Sequence, residues 1–235
     1  MAALDRSIVL GMPIFDGLGP EQLDEVLAQA RSVRLPKGGA AFEQDREADS
    51  FFVLLHGNLQ VVKLTPAGQQ VVIRYVAPGE MFGIAVQMGR PTYPATATAV
   101  VDSVMLVWPS TAWPGLVARC PSLAASALQT VGSRLNDAHV RVVEMSTEDV
   151  ERRVAHALLR LVQQAGRKLE RGIEIDFPIT RQDVAEMTGT TLHTVSRILS
   201  AWEDQGLVEG GRQRIVVLDP HRLFGLAERK GASAR

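Results

Sequence analysis

Residues 179–208 read ITRQDVAEMTGTTLHTVSRILSAWEDQGLV, and this run constrains the fold more than any other stretch. Thr180, followed three residues later by Asp183, is a helix start of the capping-box kind. Val184, Ala185 and Met187 give that helix a small apolar face. Gly189 falls where a left-handed cap turns the chain sharply, and Thr190 or Thr191 can cap a second helix. In the second helix Val195, Ile198, Leu199 and Trp202 recur at helical spacing and can pack on the first. Leu192, His193, Ser196 and Arg197 are left on its outer face. The pattern predicts a helix-turn-helix, whose second helix places its N-terminal part in the major groove of DNA. An ordinary helical hairpin with a solvated polar face has the same spacing.

The sequence beyond Gly206 bears on that choice. Apolar runs at 207–208 and 215–218 flank a Gly-Gly-Arg-Gln-Arg turn, which is a β-hairpin signal. A hairpin directly after the second helix makes the wing of a winged helix. Its tip carries Arg212 and Arg214, suited to phosphate contacts. Arg197, on the second helix, has the shape for bidentate bonding to guanine.

The segment resembles the DNA-binding domain of the CRP/FNR family of bacterial regulators. The family's Thr-Arg-Gln-Asp stands at 180–183, its Thr-Val-Ser-Arg at 194–197 and its acidic-Gln-Gly-Leu ending at 204–207. The resemblance extends over nearly the whole chain and is sharpest at 179–218. It implies a DNA-facing set of Thr180, Arg181, Gln182, Thr191, Leu192, His193, Thr194, Ser196, Arg197, Arg212 and Arg214. FNR-like relatives carry a Glu, two further residues and then Ser-Arg; here His193 stands in place of the Glu. Leu192 stands where the catabolite activator places an Arg. The expected partners are palindromic double-stranded DNA, a second copy of the chain and, for an activator, RNA polymerase.

The 235 residues suit a sensor plus a small reader, in three stretches: 1–120, a helix and hinge at 121–147, and 148–235. No apolar run reaches the length of a membrane span, and MAALDRSIVL lacks the pattern of a secretory signal. The expected compartment is the cytoplasm. Net charge is −1, which by itself does not argue for a nucleic-acid partner. Residues 1–147 carry 11 Lys+Arg against 13 Asp+Glu, and residues 148–235 carry 14 against 13. The case for DNA rests on where the arginines fall.

Residues 33–108 alternate short apolar runs with Gly/Pro turns, the pattern of a sandwich or barrel. The expected fold class is α+β: a jelly-roll-like β-roll, a long helix and a winged helix-turn-helix. The resemblance implies that the roll holds the effector. In the long helix, from about Ser122 to Met145, Ala124, Leu128, Val131, Leu135, Ala138, Val142 and Met145 step by 4, 3, 4, 3, 4 and 3. This is a heptad seam. It suits either a parallel dimer or a helix packed on its own β-domain, and the resemblance implies the dimer.

The expected effector pocket comprises Gly79, Glu80, Met81, Phe82, Gly83, Ile84, Arg90, Tyr93, Pro94 and Ala95. Cyclic-nucleotide-binding relatives have Gly-Glu-Leu followed by Arg-Ser-Ala. Here the matching stretches are Gly83-Ile84-Ala85 and Tyr93-Pro94-Ala95. A cyclic nucleotide is an anion and needs a cation and donors, so losing both the acid and the Arg argues against cyclic AMP. Arg90 is the nearby substitute for the clamp. Met81, Phe82, Ile84, Met88 and Tyr93 could line an apolar cavity. Haem is a candidate cofactor, with His56, His139, His156, His193 and His221 as axial candidates. The single cysteine, Cys120, argues against an iron–sulfur cluster held by one chain; as a lone thiol it is either a redox switch or a small core residue. No catalytic constellation is present: there is no Gly-x-Ser-x-Gly elbow, HExxH or phosphate-binding loop. The alternatives to a cyclic-AMP-independent regulator are a cyclic-nucleotide-dependent one with a substituted clamp, and a ligand-binding protein that does not touch DNA.

Overall fold

The computed structural model describes residues 6–228. Part of the N-terminal stretch read for a secretory signal, residues 1–5, lies outside the described residues. Contacts divide the chain into two units, 1–69 with 73–136, and 70–72 with 137–235.

The first unit opens with 3₁₀ turns and helix α1 (Pro20–Ala28), started by Pro20 at its first position. Eight strands follow: β1 (Arg31–Leu35), β2 (Ala40–Phe42), β3 (Ser50–His56), β4 (Leu59–Leu64), β5 (Gln70–Val76), β6 (Met81–Phe82), β7 (Thr96–Ala99) and β8 (Ser103–Pro109). They form two four-stranded sheets, in the orders β1-β8-β3-β6 and β2-β7-β4-β5. In the first, β3, β6 and β8 are buried on both faces, while the edge strand β1 is largely exposed. Phe52, Leu54, Met105 and Val107 point into the inner core between the sheets. Phe51, Val53, Leu106 and Trp108 point into an outer core closed by α1 and the helices after β8. Strand alternation makes this sorting automatic, and it explains why these strands read as continuous apolar runs. The Trp108 indole donates to the Val26 carbonyl at 2.8 Å and fixes α1 on the outer face.

Helix α2 (Trp113–Arg119) leads into α3 (Pro121–Thr147), 27 residues long. Leu123 and Ala127 enter the outer core, with Val131 packed against it. Leu128, Leu135, Val142 and Met145 are solvent-facing at 72, 56, 62 and 52% exposure, and Ala138 is exposed as well.

In the second unit α4 (Val150–Ala165) is capped by Asp149, whose carboxylate accepts from the Arg152 amide. Then come β9 (Gly166–Leu169), β10 (Gly172–Ile175), α5 (Arg181–Thr188), α6 (Leu192–Asp204), β11 (Val208–Gly211), β12 (Arg214–Val217) and α7 (Pro220–Ala227). The strands form one sheet in the order β11-β12-β10-β9. Val154, Leu158, Leu161, Val184, Leu199, Trp202 and Val217 are all buried.

Candidate functional site

The turn between α5 and α6 follows the local chemistry of its residues. Thr180 and Asp183 cap α5 reciprocally. Gly189 takes φ +62°, a left-handed conformation that favours glycine, and closes the helix. Thr191 caps α6 by accepting from the Thr194 amide at 3.2 Å. The inward face of α6 carries Val195, Leu199 and Trp202, all buried. Its outward face presents Leu192, His193 and Arg197, exposed, and Ser196, half-buried.

The eleven expected DNA-facing residues fall into distinct situations. Thr180 and Thr191 are occupied as caps, and the Thr194 hydroxyl lies 3.0 Å from that of Thr191. Gln182 is exposed and donates to Glu186 at 2.8 Å. Arg181 bonds Glu203 at 2.8 Å and also donates to the Ser200 hydroxyl at 3.3 Å. Arg214 is held between Glu174 at 2.6 Å and Glu209 at 2.7 Å. It therefore does not sit at the hairpin tip as a free cation. The turn is Arg212-Gln213, with Gln213 at φ +56°, while Gly210 and Gly211 lie within β11. Arg212 is exposed at the tip. The sequence reading placed the turn too broadly, because pairing of Gly211 with Arg214 extends the ladder over the glycines.

Sequence reasoning also missed the β9–β10 hairpin and its carboxylate Glu174. Arg167 reaches the same carboxylate at 2.6 Å. The hydrogen bond from Arg214, then that from Arg167, holds Glu174 below the usual carboxylate range. A depressed folded-state pKa contributes stability above the ordinary Glu range, and that contribution is lost as pH falls through the folded value. Both guanidiniums are partly exposed, so Glu174→Gln should cost only about 1–2 kcal/mol at neutral pH. Urea unfolding at pH 7 and again in the acid range checks this: the gap between wild type and variant should narrow on acidification.

In the sensor unit the expected pocket residues do not share one surface. Met81 and Ile84 lie in the outer core, Phe82 and Tyr93 in the inner core, and Met88 is exposed at 55%. The expected lining of one apolar cavity is thus corrected: Met81 and Phe82, adjacent on β6, point to opposite faces, and the irregular chain after β6 places Ile84, Met88 and Tyr93 apart. Between the sheets, Tyr93 stacks on Phe42 at 4.1 Å, and Phe42 and Phe52 both contact Phe82. The Tyr93 hydroxyl donates to the Ser50 carbonyl at 2.7 Å, and burial pushes its pKa up to about 12. Gly83 has φ +70°, and a Cβ there would come within 2.6 Å of the Phe52 ring. Arg90 and Pro94 are exposed, and Ala95 is buried. Gly79, Glu80 and Met81 border a cavity of about 270 Å³ with Ser126, Gln129 and Thr130 of α3. Beside it, Arg74 bonds Glu80 at 2.6 Å and Arg134 donates to the Met81 carbonyl. A second groove, about 380 Å³, lies at the edge of β1 and β2 and includes Phe42 and Tyr93. Neither cavity is lined by a histidine or cysteine. His56, His139, His193 and His221 are exposed, and His156 lies 3.4 Å from Glu148. Cys120 is fully buried, and burial raises its pKa, which disfavours the reactive thiolate.

Residues 32–120 match the cyclic nucleotide-binding domain family, and residues 152–225 match the Crp-like helix-turn-helix domain family. The chain belongs to the CRP/FNR family. It is a transcription regulator with a helix-turn-helix DNA-binding domain and a cyclic-nucleotide-binding-like domain. The cyclic AMP receptor protein of Thermus thermophilus is 29% identical over 221 residues, covering 92% of this chain and 99% of the relative. The transcriptional activator protein FnrA of Stutzerimonas stutzeri is 23% identical over 207 residues, 88% of this chain and 84% of that one. Among solved structures, FixK2 from Bradyrhizobium japonicum superposes with TM-score 0.74 at 22% identity, covering 84% of this chain and 96% of FixK2. Among the described residues of this CRP/FNR regulator, no helix is long and apolar enough to cross a membrane.

Proposed function

We propose that this regulator acts as a homodimer on palindromic DNA and that its β-roll controls it without cyclic AMP. One observation carries the dimer: the apolar seam of α3 faces solvent at Leu128, Leu135, Val142 and Met145. A stripe of this kind on a long helix is the surface a second copy buries in a coiled coil. Two readers related by a two-fold axis then bind half-sites one helical turn apart. Residues 1–120 serve as sensor, 121–147 as dimerisation helix and hinge, and 148–235 as reader. Asp149, capping α4 just after α3 ends at Thr147, gives the hinge a defined start for its second arm.

Arg197 reads guanine and His193 reads a further pair of the same half-site. A Glu at that place would accept from cytosine N4; a neutral imidazole has one donor and one acceptor, and a protonated one only donates. The preference at that pair is therefore altered or relaxed. Selection of sites from a random pool tests both points. The expected product is an inverted repeat with a firm guanine and a shifted or degenerate preference at the pair His193 reads. A single unpaired half-site, or the unaltered FNR-type half-site with full discrimination there, would count against the reading.

The name of the Thermus relative favours a second reading, control by cyclic AMP. Against it stand Ile84 in place of the acid, and Tyr93 in place of the arginine, its hydroxyl already bonded to β3. Any signal acts through its differential affinity for two arrangements of the dimer.

A further inference from the structure

We infer that Arg181 and Glu203 are positioning residues for DNA reading. Their ion pair joins α5, α6 and the wing strand β11 and sets Arg197 relative to the wing tip, and Arg181 is not a phosphate contact. The inference rests on the DNA-reading role proposed for α6 and the wing.

Arg181 is the first residue of α5, and its guanidinium lies across α6. One terminal nitrogen donates to the Ser200 hydroxyl at 3.3 Å and to the Ser196 carbonyl at 3.4 Å. The other donates to the Glu203 carboxylate at 2.8 Å. Ser196, Ser200 and Glu203 stand at i, i+4 and i+7, one row along the helix. The row starts beside Arg197 and runs about two turns to the end of α6. One side chain of α5 therefore braces the helix that carries Arg197. The two charged side chains are only 34 and 30% exposed. Turning Arg181 to a phosphate would leave the Glu203 carboxylate half-covered and unpaired beside a polyanion, an unfavourable exchange.

The wing is fitted to the same pair. Gly210 lies in β11 and pairs with Ile215 of β12. A Cβ at Gly210 would lie 2.2 Å from Glu203 Oε1 and 3.4 Å from the Arg181 guanidinium. Its φ is outside the left-handed range, so the space taken by Glu203, and not the backbone, demands glycine there. The missing side chain lets β11 close on the ion pair. The hairpin so placed carries Arg212, exposed at its turn. One ion pair thus fixes the spacing between the base-reading arginine of α6 and the cation of the wing.

The experiment uses the full-length protein, the palindrome it selects from a random pool and a random duplex, titrated over a range of salt concentrations. Arg181→Met and Glu203→Ala should each lose roughly tenfold on the palindrome, the discrimination of one well-placed base contact. Both should bind the random duplex as wild type does and keep the wild-type salt slope. The double variant should lose no more than either single one, because the two residues act as a unit. Gly210→Ala removes no charge, yet it should reproduce the loss on the palindrome. In the Glu203→Ala background, where the space is vacated, the added methyl should cost nothing further. Circular dichroism and the unchanged random-duplex affinity confirm that the variants fold. A salt slope lowered by about one in Arg181→Met, with equal losses on both duplexes and a neutral or tighter Glu203→Ala, makes Arg181 a phosphate contact and overturns the assignment. Wild-type discrimination in Arg181→Met or Gly210→Ala overturns it as well. A pool that yields no preferred site at all instead rejects the DNA-reading role on which the inference rests.

Discussion

Leu135→Glu is expected to separate the two copies of the proposed dimer. Leu135 sits at the middle of the seam and is 56% exposed within one chain. In a parallel pair it meets the same residue of the second copy, so the substitution places two carboxylates face to face in an apolar interface. An uncompensated buried charge costs about 3–5 kcal/mol, which raises the dimer dissociation constant by roughly a hundredfold to a few thousandfold. Sedimentation velocity across a concentration series reads this directly. The substitution should leave each chain folded, because the core-facing positions of α3 are Leu123, Ala127 and Val131. A dimer of unchanged affinity would move the interface away from α3.

Arg197→Ala is expected to cost about 1–3 kcal/mol on the selected site and to flatten the preference for guanine. The side chain is exposed on α6, whereas Arg181 and Arg214 are engaged with Glu203, Glu174 and Glu209. The distinction matters for how the reader uses its charge. Cations already paired inside the unit contribute less to phosphate neutralisation than the raw count suggests. The salt dependence of binding should therefore be shallow for a protein with arginines on both its helices and its wing. Titration on specific and random duplexes at two salt concentrations separates the roles. Equal losses on both duplexes would make Arg197 a phosphate contact rather than a base reader.

The parts of this fold that were legible in the sequence are those set by neighbouring residues. Thr180 with Asp183, Gly189 and Thr191 each act within a few positions, so the helix boundaries of the reader follow from hydrogen bonds that short segments must satisfy. The apolar period of the long helix was legible for the same reason, although Val131, counted in the expected seam, packs on the outer core of its own unit. The β9–β10 hairpin was not, because its strands are short and β9 is exposed along its whole length. The signal that was present is Gly166 and Gly172 bracketing the segment; at Gly172, with φ +99°, a Cβ would lie 2.4 Å from the Val217 carbonyl oxygen. The pairing of Arg214 with Glu174 joins residues 40 positions apart, and that of Arg181 with Glu203 joins residues 22 apart. No local pattern announces either pair, so two arginines of the expected DNA-facing set, Arg181 and Arg214, are engaged with carboxylates of their own unit. The pocket was less legible for another reason: β6 holds only Met81 and Phe82, which point to opposite cores, and beyond it the irregular chain carries Ile84 to the outer core and Tyr93 to the inner one.

The proposed regulator is a dimeric DNA reader whose roll does not use cyclic AMP. The most direct test is the affinity of the purified protein for its selected palindrome, with and without saturating cyclic AMP, at one fixed salt concentration. The account predicts tight binding that cyclic AMP leaves unchanged. A cyclic-AMP-dependent gain in affinity would contradict it, and would mean that Arg90 or another group replaces the clamp lost at Tyr93.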